Sequence, residues 1–181
     1  MAAEQTKTRI LEAAGRIVLE RGAAGLTLEA VADAAELSKG GLLYHYASKE
    51  ALLSAMVERL IEVTERRIVE HREDDTSAGS WTRGYIAACV ADNLPQADPV
   101  GRLGVALLAA GATDPELTAG LRERQEEWRQ RLRNDGIDST TAQLVRLAAD
   151  GLWLNDMFDL PVLSAEERAA VLHRLDVLTR S

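Results

Sequence analysis

Nowhere in this chain of 181 residues do polar and β-branched residues alternate for long, while apolar residues recur throughout at intervals of three and four. That spacing builds helices and leaves strands hard to place. Alanine and leucine dominate and only four prolines interrupt them, so an all-α fold is predicted. The length allows one sizeable core, or a small head fused to a larger helical body.

Ile10, Ala14, Ile17 and Val18 share one stripe, and Gly22 follows Arg21 as a stop, which predicts a first helix over 6–21. Thr27 stands as an N-cap before Leu28, Val31, Ala32 and Ala35, a short second helix. Glu36-Leu37-Ser38 forms a turn before a third segment, 39–46, whose Leu42, Leu43 and Tyr46 can face inward. Two short helices joined by a tight turn form a helix-turn-helix unit. Ser48 caps a fourth helix running to about Arg72, and 73–80 reads as a loop. Helices are then expected over 81–94 (stopped by Leu94-Pro95), 99–111, 115–134, 139–158 and from a Ser164 cap to Thr179, about nine in all.

The segment from Ser38 to Glu50 carries the chemistry. Adjacent Gly40 and Gly41 cost about 1 kcal/mol each inside a helix, a poor choice for stability alone. They suit a helix whose backbone must approach a base edge or phosphate; a frayed helix start is the alternative. Lys49 opposes the dipole of the fourth helix, which a bound phosphate would reverse, unless it is simply a solvated lysine. The net charge of -8 argues against bulk electrostatic coating of nucleic acid. Residues 37–49, however, contain Lys39, His45 and Lys49 and no acid, a small anion-facing patch on an acidic molecule.

Thr27-Leu-Glu-Ala-Val-Ala-Asp-Ala-Ala, Ser38-Lys-Gly-Gly-Leu and Tyr44-His-Tyr-Ala-Ser-Lys-Glu-Ala-Leu together resemble the TetR family of one-component bacterial regulators, over about residues 6–55. The resemblance implies a three-helix DNA-binding head, residues 1–50, and a helical regulatory and dimerisation body, 51–181. It also implies phosphate contacts from Thr27, Tyr44, His45 and Lys49, and base-edge contacts from Lys39, Gly40, Gly41 and Tyr44, with Ser38 opening the recognition helix. Two positions depart from the family pattern. Leu43 stands where an aromatic residue, most often tyrosine, is usual, and Glu36 occupies a turn position commonly held by glycine.

In the body, the 139–158 segment is apolar on nearly all sides: Leu144, Val145, Leu147, Ala148, Leu152, Trp153, Leu154, Met157 and Phe158. A helix apolar all round must be covered all round. With Val171, Leu172, Leu175 and Leu178 of the last helix it could form a four-helix bundle across a two-fold axis, as in the family, or the two could fill their own core. Trp81, Tyr85 and Cys89 fall at i, i+4 and i+8, and with Met56, Trp128, Trp153, Met157 and Phe158 they are candidates to line a pocket for an apolar or aromatic effector. Core packing is the alternative for such stripes.

Catalysis finds little support. His45, His71 and His173 lack helical metal-pair spacing, and there is no phosphate-cradling glycine loop and no Gly-x-Ser-x-Gly elbow. No cofactor or metal is called for, and Asp150 and Asp156 are expected to face solvent. The first residues have no signal-peptide core, the longest apolar run, 104–112, is too short to span a bilayer, and the single Cys89 fits a reducing compartment. The expectation is a cytoplasmic homodimer, bound to double-stranded operator DNA and away from membranes, a repressor released by a small effector. A dimeric helical ligand-binding protein without specific operator recognition is the alternative, and Leu43 and Glu36 are its support.

Overall fold

The computed structural model describes residues 2–72, 74–90 and 99–180. Among the described residues there are nine α-helices and no strand: α1 Ala2–Arg21, α2 Leu28–Ala34, α3 Lys39–His45, α4 Lys49–Glu70, α5 Ser80–Val90, α6 Pro99–Gly111, α7 Ala119–Arg133, α8 Ser139–Met157 and α9 Ala165–Leu178. Short 3-10 turns at Ala23–Gly25 and Pro115–Thr118 complete the set.

Two compact units emerge. The first comprises residues 1–60 with 102–122, the second 61–101 with 123–181, and α4, α6 and α7 each contribute residues to both. In the first, Ile10, Ala14, Ile17 and Val18 of α1, Val31 and Ala32 of α2, Leu42 of α3 and Leu52 of α4 are buried, as the helical spacing predicts. Arg9 of α1 donates to the Ala35 carbonyl at the end of α2 across 2.9 Å, satisfying an acceptor that the helix cannot use itself. In the second unit, Val90, Val145, Leu152 and Leu175 form a core joined by Ile86, Ala148, Val171 and Leu172.

Several boundaries differ from the sequence-based expectation. The first helix begins at Ala2 instead of residue 6. The segment expected as one helix from 115 opens as a 3-10 turn, because Asp114 accepts from the Glu116 amide and Pro115 offers no amide of its own. The α5 helix starts at Ser80, and its cap comes from far away in sequence. Asp135 accepts from the Trp81 amide at 3.0 Å, the Thr82 amide at 2.8 Å and the Thr82 hydroxyl at 2.6 Å. The expected stop at Leu94-Pro95 lies outside the described residues.

The last helix closes as its sequence predicts. Ser164 accepts from the Glu167 amide while Glu167 accepts from the Ser164 amide, a reciprocal cap that fixes where α9 begins.

Candidate nucleic-acid interface

The helix-turn-helix is set by its caps. Thr27 Oγ1 accepts from the Ala30 amide at 3.2 Å, which starts α2. At the other end, the Leu37 amide reaches the Ala32 carbonyl (2.9 Å) and the Glu36 amide the Asp33 carbonyl (3.1 Å), the paired closure that needs a left-handed residue between helix and turn. Glu36 supplies it at φ 55°, so the departure from glycine is accommodated in the left-handed region at a steric cost. Ser38 Oγ then accepts from the Gly41 amide at 3.1 Å and starts α3.

This geometry turns Leu42 fully inward and leaves Gly40, Leu43 and Tyr44 exposed on one face. Tyr44 is 86% exposed, its ring edge-on to His45 with centroids 5.3 Å apart. Leu43 was expected to face inward, but the seven-residue helix has room for one buried leucine and Leu42 takes it; Leu43 is 38% exposed. Tyr46, also expected inward, is half-buried. A Cβ on Gly40 would meet nothing within 4 Å, so no packing within the fold demands glycine there; on Gly41 it would meet only Ser38 Oγ, at 3.3 Å.

Both lysines of the patch have partners within the fold. Lys39 pairs with Glu29 in the first turn of α2, and that bond holds the Glu29 carboxyl below the usual carboxylate range. Lys49 donates to the Ala24 carbonyl at 2.9 Å. Ser48 Oγ accepts from the Ala51 amide at 3.1 Å and caps α4.

In the second unit Trp81 stacks on Tyr85 (5.6 Å between centroids) and Trp128 meets Tyr85 edge-on (5.8 Å). The buried Arg146 guanidinium lies over both Tyr85 and Trp128, at 5.4 and 5.9 Å from their centroids, close enough for cation–π attraction. Tyr85 donates its hydroxyl to Asp150, which also sits 3.7 Å from Arg146. Burial pushes the Asp150 carboxyl and the Tyr85 hydroxyl above their ordinary ranges, and pushes the Cys89 thiol up to about 12.

Residues 10–56 match the family described as bacterial regulatory proteins, tetR family, and residues 79–180 match the tetracyclin repressor-like C-terminal domain. The chain belongs to the TetR family. The HTH-type transcriptional regulator UidR of Escherichia coli is 30% identical over 122 residues, 67% of this chain and 60% of that protein. The match therefore spans less than two thirds of this TetR relative's length. A putative TetR-family regulator from Rhodococcus sp. shares the fold at TM-score 0.72 with 21% identity, covering 97% of this chain and 99% of that one. The multidrug binding protein EbrR, complexed with malachite green, does so at TM-score 0.64 with 24% identity, covering 96% of each chain.

Measured against the pattern of that TetR resemblance, Thr27, Ser38, Lys39, Gly40, Gly41, Tyr44 and His45 fall in one helix-turn-helix, and Lys49 opens the helix that follows it. The effector candidates divide. Trp81, Tyr85 and Trp128 meet; Cys89 lies one turn beyond Tyr85 on α5. Met56 is buried in the first unit, Trp153 and Met157 are half-buried on α8, and Phe158 is 55% exposed at its end. Arg146 and Asp150 were missed. A lone cation four residues before an acid, on an otherwise apolar helix, was the available signal. Asp156, like Asp150 expected to face solvent, instead pairs with Arg168 at 2.9 Å, since the start of α9 supplies a cation beside it.

A cleft of about 610 Å³ borders Trp81, but Arg72, Glu127, Gln130, Arg131, Asn134 and Asp135 make the rest of its lining polar. Among the described residues no helix is long and apolar enough to cross a membrane, and no cluster of His, Cys, Asp and Glu is placed to hold a metal.

Proposed function

We propose that this chain is a sequence-specific DNA-binding transcriptional regulator, acting in the cytoplasm as a repressor released by a small apolar or aromatic effector. Residues 1–50 would grip double-stranded operator DNA and residues 51–181 would dimerise and bind the effector. The observation that carries the reading is the uncovered face of α3, with Gly40 open and Tyr44 almost fully exposed, held by capped turns on a buried core. Such a helix, projecting from a rigid base, has the form that enters a major groove.

Dimerisation through α8 and α9 is supported by what the fold leaves uncovered. Val145, Ala149 and Leu152 of α8 are buried, yet Leu144, Leu147 and Leu154 on its other side are 61%, 65% and 45% exposed. Val177 of α9 and Leu160 and Val162 between the helices add to that apolar surface. An exposed apolar stripe of this kind on α8 calls for a partner, and a second copy meeting it about a two-fold axis satisfies both chains at once.

The effector reading rests on the Trp81, Tyr85 and Trp128 cluster with Arg146 at its side. The EbrR structure, which shares this fold, is complexed with malachite green, a ligand also built on aromatic rings. The deciding experiment is a gel shift of promoter fragments in the presence of excess nonspecific DNA. A specific shift that the purified protein cannot produce would favour the helical ligand-binding alternative, to which the left-handed Glu36 and the missing tyrosine at Leu43 belong.

A further inference from the structure

We infer that Leu43 reads the 5-methyl group of a thymine in each operator half-site, an assignment that rests on the operator-binding reading above. Leu43 is 38% exposed beside a fully buried Leu42, so the core does not claim it. It shares the outward face of α3 with Gly40 and Tyr44, and Gly40 leaves open space one turn before it. A base pair can therefore come close to that face without meeting a side chain at position 40.

Besides Tyr44 and His45, the polar means of readout on this helix are few. Lys39 is engaged by Glu29, and the Gly41 amide is taken by Ser38. Leu43 brings only methyl groups, and in the major groove the apolar group a base pair presents is the pyrimidine 5-methyl, carried by thymine and by 5-methylcytosine. A leucine placed against a cytosine or guanine edge would instead cover a donor or acceptor without replacing its hydrogen bond. The position that usually carries an aromatic residue thus becomes, in this chain, an apolar reader.

The test starts from a site selected from a random DNA pool, with affinities measured by fluorescence anisotropy for the wild-type protein and Leu43→Ala. Each thymidine of the site is replaced in turn by deoxyuridine, which removes the methyl and nothing else. At one position per half-site the wild type should lose about fourfold per methyl, and about fifteenfold when both half-sites are changed. Leu43→Ala should bind the thymidine and deoxyuridine sites equally at that position. Because Leu43 is more than one-third exposed and lies outside the core, Leu43→Ala should fold with only a small drop in its thermal melt.

An enriched site whose thymidine to deoxyuridine ratio survives Leu43→Ala overturns the assignment alone. A ratio that appears only between 5-methylcytosine and cytosine overturns the choice of thymine. A pool that yields no enriched sequence overturns the operator-binding reading, and the role of Leu43 with it.

Discussion

The Lys49 ammonium donates to the Ala24 carbonyl across 2.9 Å, which ties the first turn of α4 to the short turn between α1 and α2. A lysine at a helix N-terminus opposes the helix dipole, and this bond gives it a reason to be there before any DNA arrives. Lys49→Ala is expected to lower stability by about 0.5–1 kcal/mol in the absence of DNA, since the bond is exposed and relief of the unfavourable dipole interaction offsets part of its loss. It should also reduce the salt slope of operator binding by about one. Melting and salt titration separate the two roles: a slope equal to that of the wild type leaves Lys49 a structural latch and no phosphate ligand.

Glu36 holds φ 55° between Asp33 and Leu37 in the turn of the helix-turn-helix. A non-glycine residue in the left-handed region costs roughly 1–2 kcal/mol, part of which glycine returns as lost chain entropy on folding. Glu36→Gly should therefore stabilise the protein by about 0.5–1 kcal/mol. Removal of a negative charge from the head should also tighten DNA binding, most visibly at low salt. A variant that melts below the wild type would show that Glu36 makes a compensating contact.

The dimer prediction is best tested by substitution. Truncation before Ser164 would remove Leu175 from the core it shares with Val145 and Leu152, and so confuse unfolding with dissociation. Leu144 and Leu147 are exposed and adjacent on the surface of α8, and Leu144→Glu with Leu147→Glu places like charges on both sides of a two-fold contact. Sedimentation should show a folded monomer with weakened operator binding. A dimer that persists at micromolar concentration would move the interface to another face.

The first four helices were legible in sequence because local rules decide them: a stripe at helical spacing, then Thr27, Ser38 and Ser48 as caps. The cap of α9 was legible for the same reason. What sequence did not reveal was non-local. Asp135 caps α5 from more than fifty residues away, and Arg146 reaches over two rings borne by other helices. Leu43 was misplaced because Leu42 and Leu43 are equivalent in composition and adjacent in sequence; the tight turn at Glu36 to Ser38 fixes which of them points inward. The burial of Met56 and the exposure of Phe158 reflect the same limit, since apolar character alone does not distinguish a core, a surface and a pocket.

The last prediction joins effector and operator. An apolar or aromatic ligand that enters the Trp81, Tyr85 and Trp128 cluster must displace or share the Arg146 guanidinium, which now lies over two of those rings. Trp128 also donates to Glu65 of α4 at 3.0 Å, so a shift of its indole is felt by the same helix that carries Lys49. Ligand binding should therefore change tryptophan fluorescence and weaken operator affinity together. A tenfold loss of affinity needs about 1.4 kcal/mol of coupling, and reciprocity requires bound operator to weaken the ligand tenfold as well. The measurement is a fluorescence titration of aromatic ligands with and without operator, repeated in Glu65→Leu, which removes the acceptor of the Trp128 indole while the rings remain. Ligands that bind equally tightly in both conditions would occupy the body without controlling the head. A coupling that stays tenfold in Glu65→Leu would route the signal through something other than the Trp128–Glu65 bond.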